Sequence, residues 1–166
     1  MYTPLYWIEG PWAGRLAVSP RPRGGDWLRD EIINWQKSGV DVVVSLLAGE
    51  EIQDLALENE AFECKEADIQ FISFPIVDRS VPVSEGRAVN LIERLDAELQ
   101  TGRTVVVHCR QGVGRSGLIA ASLLAARGAH PASAMKQISA VRGAVVPETR
   151  EQENWIATFA SNRVSP

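Results

Sequence analysis

The chain has 166 residues and a formal net charge of −4, with 45% hydrophobic and 23% charged residues. These values are typical of a globular protein, and we expect a single domain spanning residues 1–166. The negative charge gives no indication of nucleic-acid binding. No apolar run approaches the ~20 residues that a membrane helix needs, and the N-terminus lacks the basic and apolar regions of a signal peptide.

Strand-like and helix-like segments alternate along the chain. Strands are predicted at residues 15–19, 40–47, 69–74 and 104–108, and helices at 27–38, 50–62, 84–100, 116–127, 131–142 and 149–162. This alternation predicts an α/β fold, in which a central, mostly parallel sheet is flanked by helices on both faces. Ligands of such folds bind beyond the carboxyl ends of the strands.

The most informative segment follows the strand predicted at 104–108 and runs from Cys109 to Arg115 (the signature loop). Five residues separate its two ends, and Gly112 and Gly114 allow backbone N–H groups to turn towards an anion. The helix predicted from Ser116 adds its positive end at the same place. Arg115 offers a planar fork of donors, and the positive field favours the thiolate of Cys109. The loop is therefore predicted to hold a phosphate against a nucleophilic sulfur.

The pattern His108-Cys109-x-x-Gly112-x-x-Arg115-Ser116 resembles the signature of the cysteine-dependent protein tyrosine phosphatases. The chain resembles the compact, prokaryotic-type dual-specificity members of that superfamily. The resemblance implies hydrolysis of phosphotyrosine, and of phosphoserine and phosphothreonine, in a protein or peptide through a phosphocysteine intermediate. It implies no metal and no cofactor. From the charge and the apolar pattern, we expect no nucleic-acid or membrane partner. Because the nucleophilic thiol must stay reduced, we expect a cytoplasmic location.

The resemblance also assigns roles along the loop. Cys109 attacks phosphorus, His108 orients the loop by hydrogen bonding, and Ser116 donates a hydrogen bond to the sulfur when the intermediate is hydrolysed. The residues expected to bind the phosphate are Arg110, Gln111, Gly112, Val113, Gly114 and Arg115.

A proton donor is needed to expel the leaving oxygen, and Asp78 is our candidate. It lies between two prolines in the segment 75–82 (the acid loop), after the strand predicted at 69–74. An Asp that merely caps a turn is the alternative. Asp68 competes for the same role, but it precedes that strand.

Gln152 supports two interpretations. It resembles the polar residue that small dual-specificity phosphatases return to the active site, where it would position the hydrolytic water. It also stands at the capping-box position of a helix whose N-cap is Thr149. Both interpretations can hold at once.

Other functions fit parts of the signature loop less well. Gly112-x-Gly114-x-x-Gly117 matches a dinucleotide-binding fingerprint, but no Asp or Glu occurs between Leu118 and Pro147 to hold a ribose. A rhodanese-like sulfurtransferase also carries a loop cysteine, although Arg115 and Ser116 favour phosphate chemistry. A non-catalytic phosphopeptide-binding module would normally have lost one of the three catalytic groups. Phosphoinositide phosphatases tend to carry lysines inside the loop, whereas Arg110 is the only additional cation here.

Two further features leave alternatives open. Cys64 would either form a protective disulfide with Cys109 or be an ordinary buried thiol. Arg21 and Arg23 lie in a loop rich in turn formers, which would either contact phosphate or an acidic peptide, or be a solvated loop.

Overall fold

The structure, a computed structural model, describes residues 1–164. Its strands are β1 (Tyr6–Ile8), β2 (Leu16–Pro20), β3 (Val42–Ser45), β4 (Gln70–Ser73) and β5 (Val105–Cys109). Its helices are α1 (Leu28–Lys37), α2 (Gly49–Asp54), α3 (Glu60–Glu66), α4 (Glu85–Gln100), α5 (Arg115–Ala126), α6 (Pro131–Arg142) and α7 (Arg150–Val164), and a short 3-10 turn at Gly25–Trp27 precedes α1.

The strands form one sheet in the order β1-β2-β5-β3-β4. β2, β5, β3 and β4 are parallel, and β1 joins the edge in antiparallel orientation. β5 lies in the centre, where Val107 pairs with Val18 on one side and Val44 on the other. All five of its residues are buried, which explains why its sequence is a nearly continuous apolar run.

Helices cover both faces of the sheet, as the alternating pattern predicted. Because successive side chains of a strand point to opposite faces, Val107 and Cys109 join a core with α4, α5, α6 and α7, whereas Val106 joins a second core with α1 and α3. The sheet therefore separates two hydrophobic cores.

The helix that carries the site, α5, is buried on every side from residue 115 to residue 125. It lies between the sheet and the neighbouring helices α4, α6 and α7. This position explains its nearly uniform apolar sequence. Among the described residues, no helix is both long enough and apolar enough to cross a membrane.

The structure differs from the predicted elements at two places. The helix predicted at 50–62 is two short helices, α2 and α3, because the chain turns between them and Ala56 adopts a left-handed conformation with φ 54°. Strand β1 was not predicted, since three residues at a sheet edge leave almost no periodicity. The helix predicted at 131–142 has the bounds of α6, and it ends where Gly143 adopts a φ of 68°.

Candidate active site

Strand β5 and helix α5 place the two ends of the signature loop. Cys109 is the last residue of β5 and Arg115 is the first residue of α5. Cys109 is only 3% exposed, and its Sγ lies 3.3 Å from the Oγ of Ser116. A hydroxyl at this distance can donate to a thiolate, which is the contact expected for Ser116.

Between these ends, the loop offers unused donors. Within residues 1–164, the backbone N–H groups of Gln111, Gly112, Val113 and Gly114 donate no hydrogen bond. Gly112 has a φ of 73°, and a Cβ there would lie 2.6 Å from backbone atoms of Ser19 and Pro20. Only glycine fits this position. A row of free amides beside a helix N-terminus is a suitable binding place for an anion.

The guanidinium of Arg115 is buried, and within residues 1–164 its two terminal nitrogens donate hydrogen bonds while its Nε donates none. Glu51 accepts from it at 2.6 and 2.9 Å through its two carboxylate oxygens, and the carbonyl of Ile76 accepts at 2.8 Å. The fourth contact, at 3.1 Å, is to Oδ1 of Asp78. The side chain of Arg115 is thereby fixed beside the loop, and Asp78 is brought to the same place.

Charge pairing governs ionisation at this cluster. Burial opposes the charge on Glu51, but hydrogen bonds from Arg115 and from the Ala48 N–H outweigh it, so the pKa of Glu51 lies below its usual range. Burial likewise opposes the charge on Arg115, yet Glu51, Cys109 and Asp78 raise its pKa. Both groups stay ionised at neutral pH.

The acid loop brings Asp78 to the carboxyl edge of the sheet. The side chain of Asp78 is 53% exposed, so it remains open to a substrate. Asp68 precedes β4 and therefore lies at the opposite, amino edge of the parallel strands. Of the two candidate acids, Asp78 alone lies beside Arg115.

Gln152 connects the acid loop to α7. Its Oε1 accepts from the Glu148 and Thr149 N–H groups, and Thr149 Oγ1 accepts from the Gln152 N–H, which is the predicted capping arrangement. Its Nε2 donates to the carbonyl of Ser80 at 3.0 Å. Gln152 is completely buried. The structure thus gives it a second contact, with the acid loop, that the sequence did not indicate.

His108 points away from the loop. Its side chain lies on the opposite face of β5 from Cys109, where Nε2 is 2.6 Å from a carboxylate oxygen of Glu60 in α3. The ring also packs against Trp35, at 6.0 Å between centroids. The hydrogen bond expected from His108 therefore goes to α3, behind the strand, and not to the signature loop.

The other two basic residues singled out by sequence have different surroundings. Arg23 pairs with the buried Glu31 at 3.0 Å, so its charge is already matched. Arg21 approaches the signature loop through its backbone, since its N–H donates to the carbonyl of Arg110 at 3.2 Å. The segment borders the loop, and within it the charge of Arg23 is matched by Glu31.

Cys64 lies in the core formed with α1 and α3, and Cys109 lies in the core on the other side of the sheet. Both cysteines are free thiols. Because the sheet stands between them, the structure supports the simple burial of Cys64 and not a disulfide between the two.

A surface groove with a volume of about 630 Å³ opens beside Asp78. Carboxylates dominate its lining, and Arg110 is its cation; the lining residues are Ala48, Gly49, Glu50, Glu51, Asp54, Val77, Asp78 and Arg110. Within residues 1–164, no three His, Cys, Asp or Glu side chains cluster as metal ligands.

Three residues of the site were not singled out from the sequence. Glu51 holds Arg115, Arg142 donates to carbonyls of the signature loop, and Glu148 lies against Gly114. Each acts through a contact between distant segments. The only sequence feature that drew attention to Glu51 was the acidic start of the helix predicted at 50–62.

The central strand β5 leads through Cys109 and the signature loop to helix α5, which starts at Arg115. This arrangement is typical of the superfamily of cysteine-dependent tyrosine and dual-specificity phosphatases. A family model described as "Polymorphic toxin system, DSP-PTPase phosphatase" (Tc-R-P) matches residues 19–129. The chain belongs to this family.

Individual relatives agree with this classification. The chain is 30% identical over 156 residues to protein 197R of Invertebrate iridescent virus 6, which is named as a tyrosine phosphatase. The match covers 91% of this chain and 54% of the viral protein. The chain thus spans about half the length of this curated relative.

Solved structures share the fold. Kinase associated phosphatase (KAP), with its catalytic-site cysteine replaced by serine, superposes with a TM-score of 0.90 at 19% identity, covering 100% of this chain and 98% of that chain. PTPMT1 in complex with PI(5)P superposes with a TM-score of 0.75 at 19% identity, covering 95% and 96%.

Proposed function

We propose that this chain is a phosphoprotein phosphatase that hydrolyses phosphotyrosine, and also phosphoserine and phosphothreonine, through a phosphocysteine intermediate. The observation that carries the proposal is the meeting of Cys109, Arg115 and Asp78 at the carboxyl end of β5. Nucleophile, phosphate ligand and proton donor are the three groups that this reaction needs. The proposed active unit is a single cytoplasmic domain spanning residues 1–166.

The first step forms the phosphoenzyme. The thiolate of Cys109 attacks phosphorus, while Asp78 gives its proton to the departing oxygen of the substrate. Arg115 and the free amides of the signature loop hold the three remaining phosphate oxygens. The loop amides donate to no other group before the reaction, so they stabilise the developing charge with little reorganisation.

The second step returns the enzyme to its starting state. Water attacks the phosphorus of the thiophosphate, and Asp78, now a carboxylate, accepts the proton from that water. Cys109 leaves as a thiolate, which accepts a hydrogen bond from Ser116. Gln152 is proposed to hold the acid loop through Ser80, and its predicted role in positioning the water is compatible with this contact.

The groove beside Asp78 favours a protein substrate over an inositol phospholipid. A phosphoinositide presents further phosphates or an anionic membrane surface near the phosphate that is hydrolysed. Glu50 and Asp54 line the groove together with Arg110, and the two carboxylates would repel such a ligand. Hydrolysis of a phosphoinositide is the second candidate, because a PTPMT1 structure with PI(5)P shares the fold.

Hydrolysis of para-nitrophenyl phosphate in the presence of a chelator tests the proposal. We expect turnover in the wild type, none in Cys109→Ser, and a strong reduction in Asp78→Asn at unchanged folding. Activity surviving in Cys109→Ser would exclude the phosphocysteine route. A wild type that binds vanadate but turns over no substrate would identify a binding module.

The substrate class is tested by comparing a tyrosine phosphopeptide, a threonine phosphopeptide and vesicles containing a monophosphorylated phosphatidylinositol. We expect release of phosphate from the peptides and little release from the vesicles. The reverse order would assign the chain to lipid substrates.

A further inference from the structure

Arg142, the last residue of α6, contacts the signature loop from outside. Its Nε donates to the carbonyl of Gly112 at 2.7 Å, and its Nη2 donates to the carbonyl of Gln111 at 3.0 Å. Its guanidinium also packs over the ring of Tyr6 in β1, 3.9 Å from the ring centroid. The side chain is half-buried. One residue thus joins α6, β1 and the loop.

These two hydrogen bonds fix the direction of two amides. In a trans peptide, the N–H points away from the carbonyl of the same plane. With the carbonyls of Gln111 and Gly112 held by Arg142, the N–H groups of Gly112 and Val113 point to the opposite side. These are two of the free donors of the loop. Arg142 also offsets the partial negative charges of the two carbonyl oxygens, which would otherwise repel an anion bound at the loop.

The loop is confined on its other side as well. A Cβ at Gly112 would strike Ser19 and Pro20 at the end of β2. Between this contact and Arg142, Gly112 has little room to rotate. Without Arg142, nothing in the described chain holds the carbonyls of Gln111 and Gly112 in place.

We propose that Arg142 is a positioning residue, which presets the Gly112 and Val113 amides for phosphate without touching the substrate. The inference rests on the proposed phosphatase function. It predicts that Arg142 affects phosphate affinity and turnover together, because the same amides bind the phosphate in the ground state and in the transition state.

The test uses Arg142→Met, which keeps an aliphatic side chain against Tyr6 and removes the donors, and Arg142→Lys, which keeps the charge but not the fork. We expect Arg142→Met to bind vanadate about tenfold or more weakly and to lose a similar factor in kcat/KM, with Arg142→Lys intermediate. Added guanidinium at non-denaturing concentration should restore part of the loss in Arg142→Met. Arg94→Met, at an exposed position of α4, is the matched control and should behave as wild type.

The outcomes separate this inference from the proposed function. A wild type without turnover would contradict the proposed function, while vanadate affinity in Arg142→Met would still report on the loop. Wild-type vanadate affinity in Arg142→Met would overturn the positioning role. The positioning role would also be overturned if Arg142→Met lost vanadate affinity that guanidinium does not restore, while its circular dichroism and melting temperature matched those of the wild type.

Discussion

At the residue scale, Arg115 carries a buried charge that two carboxylates share. Glu51 takes up two of its donors and is itself mostly buried, whereas Asp78 takes one and is half exposed. The inner carboxylate therefore orients the guanidinium. The outer one is free to exchange its contact with Arg115 for a contact with a leaving group.

Replacing Glu51 by Gln should reduce catalysis without removing any reacting group. The neutral amide cannot accept from both guanidinium nitrogens, so Arg115 gains freedom in a site where buried charge pairing matters. We expect kcat/KM for para-nitrophenyl phosphate to fall by about tenfold or more, which corresponds to about 1.4 kcal/mol of lost transition-state stabilisation. Steady-state kinetics provides the measurement, and unchanged kinetics would show that Ile76 and Asp78 suffice to orient Arg115.

The residues of the site differ in how far sequence can identify them. Cys109, Arg115 and Ser116 stand in one short motif whose spacing reflects one loop, so a local pattern was enough to predict them. Asp78 was predicted because it follows a strand, and it lies beside Arg115 in the structure. Glu51 and Arg142 act across 64 and 30 residues of chain, and no local pattern encodes such contacts. Their roles became visible only once the fold was known.

At the element scale, the acid loop depends on α7. Gln152 supplies this dependence, because its Oε1 caps the helix and its Nε2 donates to Ser80 in the loop. The oxygen of this side-chain amide therefore caps α7, and its nitrogen contacts the acid loop. A substitution that keeps only one of these contacts can separate the two roles.

Gln152→Glu is such a substitution. The carboxylate still accepts from the Thr149 N–H and lies at a helix N-terminus, where negative charge is favourable, but it cannot donate to Ser80. We expect kcat to fall several-fold with a smaller change in KM, since the position of Asp78 is disturbed and phosphate binding is not. Stopped assays over a range of substrate concentrations measure both constants. If Gln152→Glu and Gln152→Ala lowered the melting temperature equally and left kcat and KM unchanged, Gln152 would be a purely structural residue.

The N-terminal segment depends on α1 through Glu31. This buried carboxylate accepts from the N–H and hydroxyl of Thr3 and from the backbone and side chain of Arg23. Burial raises its pKa, but these hydrogen bonds lower it more, so the pKa of Glu31 lies below its usual range. The unfolded chain then binds a proton before the native chain does.

Stability should consequently fall in acid. The contribution of Glu31 is present above the ordinary glutamate pKa and is lost as pH falls below about 4 towards the lowered value. We expect Glu31→Gln to lose about 1–3 kcal/mol of unfolding free energy at pH 7 and to show a weaker decline below pH 4 than the wild type. Urea unfolding at several pH values checks this expectation. Parallel curves for the two proteins would contradict it.

Elements were predicted well where periodicity or burial was strong. β5 and α5 have sequences that only a buried strand and a buried helix explain, and α6 begins at a proline and ends before a glycine. The prediction of one helix at 50–62 was wrong because a turn at Ala56 interrupts a segment that is polar enough for one exposed helix. Strand β1 was not predicted because its stability comes from pairing with β2 and not from its own sequence.

At the scale of the whole molecule, the sheet divides the two thiols. Burial, and then the charges of Glu60 and Glu63, raise the pKa of Cys64, and its side chain is fully enclosed. Cys109 instead faces a loop that is built to bind anions. The two cysteines should therefore differ greatly in reactivity.

Brief treatment of the native protein with iodoacetamide should modify Cys109 and leave Cys64 intact. In urea both should react. Peptide mass spectrometry after each treatment identifies the modified sites, and bound vanadate should protect Cys109 in the native protein. Labelling of Cys64 before unfolding, or a crosslink between the two sulfurs after peroxide treatment, would contradict the separation by the sheet.

The burial of residues 115–125 of α5 also limits how such a protein can diversify. A substitution along this helix changes its packing against the sheet or against three other helices. It therefore lowers stability before it alters substrate recognition. The exposed positions of the neighbouring segments, at residues 49–50, 53–54, 77, 79 and 144–145, carry no such cost. New substrate preferences, whether evolved or selected in a library, should therefore accumulate in these segments while the helix stays as it is.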